Sequence, residues 1–241
     1  MGNSMTANLL AIDTSTQACS VALQTIDGIY KQYSEEPRSH TKLLMPMVDH
    51  VITEAGISKS ALECLAVTVG PGSFTGLRIG FGVVQGLAFG LDIPVVAVSS
   101  LELLAATYQR ISNAQKGTVI FPLMNARMDE FNCGCYQVTE SGQLQLKIED
   151  CLLKRGEALE KLAQFKPQAV VGDGDALFES STEKGEFERF SVTAIYPQAS
   201  DLLELARYRF EQGHAKSVET IELVYLRGTE AWKKHTPLRE K

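Results

Sequence analysis

The stretch VTVGPGSFTGLRIGFGVVQGLAFGLDIPVVAV, residues 67–98, decides how the surrounding chain can fold. Two short apolar runs flank a segment in which glycine recurs from Gly70 to Gly90. The sequence Gly70-Pro71-Gly72 predicts a tight turn from a strand into a helix, and Ser73 or Thr75 can cap that helix. The segment therefore predicts a strand, a turn, a glycine-rich helix and a second strand.

Three glycine motifs with known chemistry are excluded here. A Walker A loop requires lysine after its last glycine, and Leu77 follows Gly76. The spacing G-x-G-x-x-x-G is one residue too long for a dinucleotide fingerprint. A nucleophile elbow needs glycine two residues before and after its serine, whereas Ser73 has Pro71 and Thr75 there. The glycines therefore require another explanation.

The predicted helix is apolar almost all round, because Arg78 and Gln85 are its only strongly polar residues, and such a helix is expected to be buried nearly all round. Gly82, Gly86 and Gly90 recur every four residues. Each interior glycine costs about 1 kcal/mol relative to alanine, so this stripe needs a compensating benefit. Two interpretations stay open: close packing inside the chain's own core, or a docking face for a second chain.

The remaining pattern indicates two similar halves. A strand, a hairpin around Asp27-Gly28 and a helix over 39–55 precede the glycine-rich segment, and a comparable series begins at Thr118. We read this as a duplicated β-β-β-α-β-α unit in an α/β fold. The expected divisions are an N-terminal lobe at 5–112, a C-terminal lobe at 113–226 and a basic tail at 227–241.

Composition restricts the function classes. The chain has 241 residues, 44% of them hydrophobic, and a net charge of −6, which disfavours a stand-alone nucleic-acid binder. The basic tail is interpreted as solvated or as a minor contact to an anionic partner. We see no membrane span and no secretory signal, and the odd number of scattered cysteines, five, predicts free thiols in a cytoplasmic protein.

The stretches LLAIDTSTQACSVAL, RSHTKLLMPMVDHVI, AVTVGPGSFTGLRIGFG and NARMDEF resemble the TsaB (YeaZ) family of bacterial tRNA threonylcarbamoyladenosine biosynthesis proteins. The resemblance implies the actin-like ATPase fold, with two related lobes around a nucleotide cleft. It also implies that the catalytic relative TsaD carries H-x-x-x-H, a metal-binding pair, after the strand that follows the glycine-rich helix. Ser100 and Leu104 occupy those positions here, so the resemblance implies a non-catalytic chain without a metal site.

The resemblance places a possible vestigial nucleotide site at the ends of two strands. Its candidate residues are Asp13, Thr14 and Ser15 in the first half and Gly172 and Gly174 in a turn taken as equivalent in the second. Asp13 could hold a hydrated Mg²⁺ and backbone amides could meet phosphate. We expect no tightly bound cofactor, and at most weak ATP or ADP with Mg²⁺ at the cleft or at a partner interface.

The function implied is that of a partner of TsaD. With the ATPase TsaE, the pair would support transfer of threonylcarbamoyl to N6 of adenosine 37 in tRNAs that read codons beginning with A. The alternative is a free-standing ATPase or small-molecule kinase of the same fold. A homodimer is expected when TsaD is absent, because burying an exposed apolar face against a second copy of the chain is favourable. The predicted docking residues are Leu43, Leu44, Met47, Val51, Ile79, Gly82, Val83, Gly86 and Gly90.

Overall fold

A computed structural model describes residues 8–179 and 190–227. Within them the chain forms two five-stranded mixed sheets. The first sheet has the strand order β3-β2-β1-β4-β5, in which β1 is antiparallel to β2 and parallel to β4. Its strands are β1 (Leu9–Asp13), β2 (Cys19–Gln24), β3 (Ile29–Ser34), β4 (Cys64–Thr68) and β5 (Val95–Val98).

The second sheet repeats this topology. Its order is β10-β9-β6-β7-β8, which is the first order read from the other edge, so β6 corresponds to β1 and β9 to β4. The duplicated α/β architecture predicted from the sequence is confirmed. The strands are β6 (Val119–Asn125), β7 (Glu130–Val138), β8 (Leu144–Lys154), β9 (Ala169–Gly172) and β10 (Val192–Thr193).

Helices follow the third, fourth and fifth strand of each sheet. The repeated unit is therefore β-β-β-α-β-α-β-α, one strand and one helix longer than the unit predicted. The missed strand is the two-residue β10, which is too short to carry a periodic pattern. The helices are α1 (His40–Glu54), α2 (Phe74–Leu91), α3 (Ser100–Ser112), α4 (Arg155–Phe165), α5 (Ala176–Glu179) and α6 (Ala199–Glu211).

The first sheet has apolar residues on both faces because helices cover both. In β1, Leu10 and Ile12 face the core shared with α1 and α2, while Leu9 and Ala11 face α6. A strand buried on both sides reads as a continuous apolar run instead of an alternation. This explains why LLAI could be recognised as a strand from its composition.

Each central helix covers the sheet of the other half. The α3 residues Leu101 and Leu104 pack on the second sheet, whereas Leu202 and Ala206 of α6 pack on the first. The layers are thus α1 and α2, the first sheet, α6 with α3, the second sheet, and α4 with α5. The predicted lobe boundaries are wrong at this point, because α6 follows the second sheet in the chain but belongs to the core of the first.

The chain also returns to the first sheet after α6. Lys216 forms an antiparallel bridge with Val95, and the Val224 amide donates to the Val69 carbonyl over 2.7 Å. Val218 and Ile221 are buried in the core under α1 and α2. Residues 214–225 are therefore part of the N-terminal lobe, whereas the 228–241 part of the predicted basic tail lies outside the described residues.

Helix α2 begins as predicted but is not buried all round. The Ser73 hydroxyl accepts a hydrogen bond from the Gly76 amide, which caps the helix. Leu77, Phe81 and Val84 face the core, and the opposite face is exposed. By length and composition alone, α2 is the one helix of the described residues that could cross a membrane. Its packing on the first sheet makes it the surface helix of an α/β lobe.

Candidate functional site

The turn that follows β1 is closed by the beginning of α2. The Thr14 hydroxyl donates to the Gly76 carbonyl over 2.8 Å, and the Ser73 amide donates to the Ser15 carbonyl over 2.7 Å. Thr14 and Ser15 are both buried. The Thr14 hydroxyl and the Ser15 backbone carbonyl are therefore engaged by the chain itself.

Three glycines allow this close approach. A Cβ on Gly72 would collide with the Ser15 carbonyl, and one on Gly76 would collide with the Thr14 carbonyl. A Cβ on Gly80 would meet the Thr14 hydroxyl. Of the two interpretations left open for the glycines, packing inside the chain is correct for Gly76 and Gly80. Their absent side chains let α2 cross directly over the turn.

Asp13 lies behind this closed turn and is fully buried. Its Oδ1 accepts hydrogen bonds from the Thr68 hydroxyl at 2.6 Å and from the Ser15 amide at 3.3 Å, while Oδ2 has no partner among the described residues. Burial raises the pKa of this carboxyl, against the lowering effect of those hydrogen bonds. Mg²⁺ usually keeps several water ligands, so a carboxyl without solvent access does not fit a hydrated magnesium ion.

The second predicted turn was paired with the wrong strand. Gly172 ends β9 and Gly174 follows it, and β9 corresponds to β4, so their counterpart is the turn after β4 and not the turn after β1. A Cβ on Gly172 would collide with the Leu123 carbonyl, and one on Gly174 would collide with the Leu123 side chain. Both glycines are thus required by packing on β6.

The true counterpart of the Asp13 turn follows β6 and was missed by sequence reasoning. Its residues Arg127, Met128 and Asp129 have consecutive φ values of 65°, 54° and 59°, a conformation that residues with side chains rarely adopt. Arg227 donates to the Ala126 and Arg127 carbonyls at 3.0 and 3.2 Å. The NARMDEF motif marked this segment, but no spacing rule predicts that an arginine a hundred residues later holds it.

The turn after β1 contacts the segment that precedes α6. The Gln17 amide donates to the Tyr196 hydroxyl at 2.5 Å and so bridges β1's turn to the segment before α6. Burial raises the pKa of Tyr196, and the negative charges of Asp173, Glu35 and Asp175 raise it further.

The two residues at the positions of the relative's histidines are part of the core. Ser100 and Leu104 are fully buried, and a Cβ on Gly172 would lie 3.1 Å from Leu104 Cδ2. Leucine offers no donor atom, so this pair does not fit a metal ion. No group of three or more His, Cys, Asp or Glu residues is arranged to hold a metal within residues 8–179 and 190–227.

Only some residues of the predicted docking face are exposed enough to contact a partner. Leu44, Met47 and Val51 are buried in the core of the first lobe, where α1 packs on β2 and β3, and so they are unavailable to a partner. Leu43, Ile79 and Val83 are only partly buried. We keep these three with the glycines of α2 as the candidate docking face.

The glycines of that face are open to solvent. A Cβ added to Gly82, Gly86 or Gly90 would meet nothing within 4 Å, so packing inside the chain does not explain them. Phe89 lies between them on the same side of α2 and is 67% exposed. Sequence reasoning overlooked Phe89 because a helix apolar all round gives no sign of which aromatic side chain points outwards.

Comparisons with known proteins agree on the family. The family model described as TsaD, tRNA N6-adenosine threonylcarbamoyltransferase, matches residues 12–219. The tRNA threonylcarbamoyladenosine biosynthesis protein TsaB of Escherichia coli is 36% identical over 94% of this chain and 97% of its own length. The protein of the same name from Haemophilus influenzae is 36% identical over 94% of this chain and 96% of its own length.

Comparison with solved structures indicates the same family. The structure described as YeaZ from Pseudomonas aeruginosa superposes with a TM-score of 0.77 at 37% identity, and covers 91% of this chain and 100% of its own. A second structure from that organism, described as similar to peptidase YEAZ, has a TM-score of 0.79 at 37% identity over 92% of this chain and 100% of its own. The chain therefore belongs to the TsaB (YeaZ) family and functions in the biosynthesis of threonylcarbamoyladenosine in tRNA.

Proposed function

We propose that this chain is a non-catalytic subunit that docks on a TsaD-type transferase. The exposed glycine stripe of α2 carries the proposal. Three helical glycines with open space above them each cost about 1 kcal/mol of helix stability, and no contact within residues 8–179 and 190–227 compensates that cost. A helix of another chain laid along the stripe would supply the compensation, because the missing side chains let two backbones approach closely.

The closed turns support the non-catalytic part of the proposal. Asp13 is buried without solvent access, and the Thr14 hydroxyl is engaged by α2. Leu104 stands where the catalytic relative is expected to carry a metal ligand. The chemistry is therefore assigned to the partner, and any ATP or ADP bound by this chain would be weak or would lie at the partner interface.

The chain would act within a cytoplasmic assembly. The transferase partner TsaD and the ATPase TsaE would transfer threonylcarbamoyl to N6 of adenosine 37 in tRNAs that read codons beginning with A. This chain would hold TsaD in its active arrangement. In the absence of TsaD, the exposed face around Phe89 would be covered by a second copy of the chain, giving a homodimer.

Reconstitution tests the proposal. Purified TsaD, TsaE, an unmodified tRNA and an activated threonylcarbamoyl donor would be assayed for threonylcarbamoyl transfer with and without this chain, and pairing with TsaD would be followed by analytical ultracentrifugation. We expect stable pairing, transfer only when both proteins are present, and no turnover by this chain alone. ATP hydrolysis or phosphoryl transfer by the isolated chain would instead support the free-standing ATPase or kinase. Equal transfer without the chain would contradict the proposal.

A further inference from the structure

The N-terminal end of α2 carries an aromatic and cationic patch, which continues the ridge of the glycine stripe because Phe74 and Arg78 precede Gly82 at the same four-residue spacing. The Arg78 guanidinium carbon lies 3.2 Å from the Phe74 ring centroid and 5.0 Å from that of Tyr225. The two ring centroids are 5.4 Å apart. Phe74 is 55% and Tyr225 40% exposed. Two aromatic rings and a guanidinium plane are thus presented to solvent together.

Backbone contacts fix Tyr225 in this place. The preceding residue, Val224, donates its amide hydrogen to the Val69 carbonyl over 2.7 Å. The Val224 carbonyl occupies the space that a Cβ on Gly70 would need. The Tyr225 ring is therefore held over α2 before any ligand binds, so little ordering is needed for it to serve as a contact surface.

The patch extends onto the second lobe. Arg227 Nη1 lies 3.9 Å from Met128 Sδ, and Met128 is 80% exposed. Arg127 next to it is also exposed. Tyr225 and Arg227 belong to one short segment, which links the rings over α2 to the turn after β6. We call Phe74, Arg78, Arg127, Met128 and Tyr225 the aromatic–arginine patch.

The charge of this patch is positive although the whole chain carries −6. The two nearest carboxylates of the β6 turn are compensated, since Glu130 pairs with Arg227 and Asp129 pairs with Arg155. Among the described residues, Arg78 and Arg127 form no ion pair with a carboxylate. Two uncompensated cations therefore lie beside exposed aromatic rings.

We propose that the aromatic–arginine patch binds an unpaired segment of RNA. A base would stack on Tyr225 or Phe74, and the guanidinium groups of Arg78 and Arg127 would contact neighbouring phosphates. Proteins recognise single-stranded RNA in this way, by stacking bases on aromatic rings and arginine planes beside cations that meet the backbone. An acidic peptide would use the cations alone and leave the stacking faces without a role, so RNA fits the patch better.

The inference rests on the proposed function, because a tRNA-modifying assembly supplies the RNA. It adds that this chain, and not only its partner, contacts that RNA. The contribution would be one part of a larger interface, since two uncompensated arginines are too few for tight binding by the isolated acidic chain.

The test uses the assembled complex and an unmodified transcript of a tRNA that reads a codon beginning with A. Binding of the fluorescently labelled transcript would be measured by anisotropy at two salt concentrations for Tyr225→Leu and Arg78→Gln. The matched controls are Tyr208→Leu, an exposed tyrosine on α6, and Lys147→Gln, an exposed lysine on β8. Pairing with TsaD and the melting temperature would be measured for every variant.

Each patch variant is expected to weaken transcript binding about fivefold or more, a size consistent with the loss of one stacked base. Arg78→Gln should also reduce the slope of log affinity against log salt by about one. The controls should bind like wild type. Transcript affinity unchanged in both patch variants, with pairing intact, would overturn the inference but leave the proposed function standing.

Loss of TsaD pairing in Arg78→Gln would also overturn the inference, because the patch would then be a protein interface. Failure of the proposed function has a different signature. In that case the wild-type chain itself would not pair with TsaD, or transfer would proceed equally well without it.

Discussion

The Thr14 hydroxyl donates a 2.8 Å hydrogen bond to the Gly76 carbonyl, and this bond joins the end of β1 to the first turn of α2. The bond engages the Thr14 hydroxyl inside the chain, so this hydroxyl is not free to contact a ligand. It exists only because Gly76 and Gly80 have no side chains between α2 and Thr14. The glycine-rich segment therefore has two roles: its first glycines close the turn, and its last glycines form an open stripe.

Alanine substitutions should separate these two roles. Gly76→Ala places a Cβ against the Thr14 carbonyl, and we expect a loss of about 1–3 kcal/mol in the free energy of unfolding from overpacking. Gly82→Ala meets nothing within 4 Å and should gain up to about 1 kcal/mol from helix propensity. Urea unfolding measures both. A Gly76→Ala protein as stable as Gly82→Ala would refute the close approach of α2 to the turn.

A leucine on the open stripe should block the partner and spare the fold. In Gly86→Leu the new side chain enters free space, so we expect a melting temperature at or above that of wild type and loss of measurable TsaD pairing. Gly156→Leu is the matched control, since Gly156 is also an exposed helical glycine with nothing within 4 Å, but on α4. Ultracentrifugation measures pairing. Wild-type TsaD affinity in Gly86→Leu would remove the stripe from the interface.

Replacing Asp13 should change the free energy of unfolding and have little effect on threonylcarbamoyl transfer. Burial raises its pKa, so the folded state holds a proton that the unfolded state has released, and stability falls as pH rises above the ordinary value of 3.8. The amide side chain in Asp13→Asn does not ionise, so this contribution to the pH dependence is absent. Its stability relative to wild type should therefore increase as pH rises, in urea unfolding measured from about pH 4 upwards.

The same variant tests whether the closed turn after β1 takes part in the transfer reaction. With the chemistry in the partner, reconstituted transfer by Asp13→Asn should stay within severalfold of wild type. Asp27→Asn, in the exposed β2–β3 hairpin, controls for the change of charge. A loss of orders of magnitude in transfer, with pairing and folding intact, would show that this turn takes part in the reaction directly.

Removing Arg209 of α6 from its ion pair with Glu102 of α3 should change stability relative to wild type with the opposite pH dependence. Burial raises the pKa of Glu102 above its ordinary value, and the positive charge of Arg209 opposes that rise only in part. The Arg209 side chain is 27% exposed and the Glu102 side chain 14%. Arg209→Met leaves the carboxylate without its cation, which we expect to cost about 1–3 kcal/mol at pH 8, less than for a fully buried pair.

Lower pH should reduce that deficit. Without Arg209 the pKa of Glu102 rises further, so the carboxyl accepts a proton as the pH falls and the unpaired charge disappears. Arg207→Met on the same helix, whose arginine pairs with Glu211 at the surface, should change stability little. Urea unfolding at pH 5 and pH 8 compares the two. An equal loss at both pH values in Arg209→Met would contradict this account.

The sequence by itself determined the local elements. Apolar runs, the Asp27-Gly28 hairpin and the Ser73 cap indicated the strands and helices of both halves except the short β10 and α5, because such signals depend on neighbouring residues alone. The family motifs and the duplication followed from the same local information. The sequence also identified Ser100 and Leu104 as unsuitable metal ligands, since leucine has no donor atom wherever it lies.

Only the tertiary structure decided which surfaces are free. Gly76 and Gly82 belong to one helix and read alike in the sequence, yet one is pressed against Thr14 and the other faces open space. The difference arises from a partner 62 residues away in the chain, which no local pattern specifies. The exchange of α3 and α6 between the sheets and the position of Tyr225 over Arg78 have the same origin: contacts between distant segments depend on how whole layers pack.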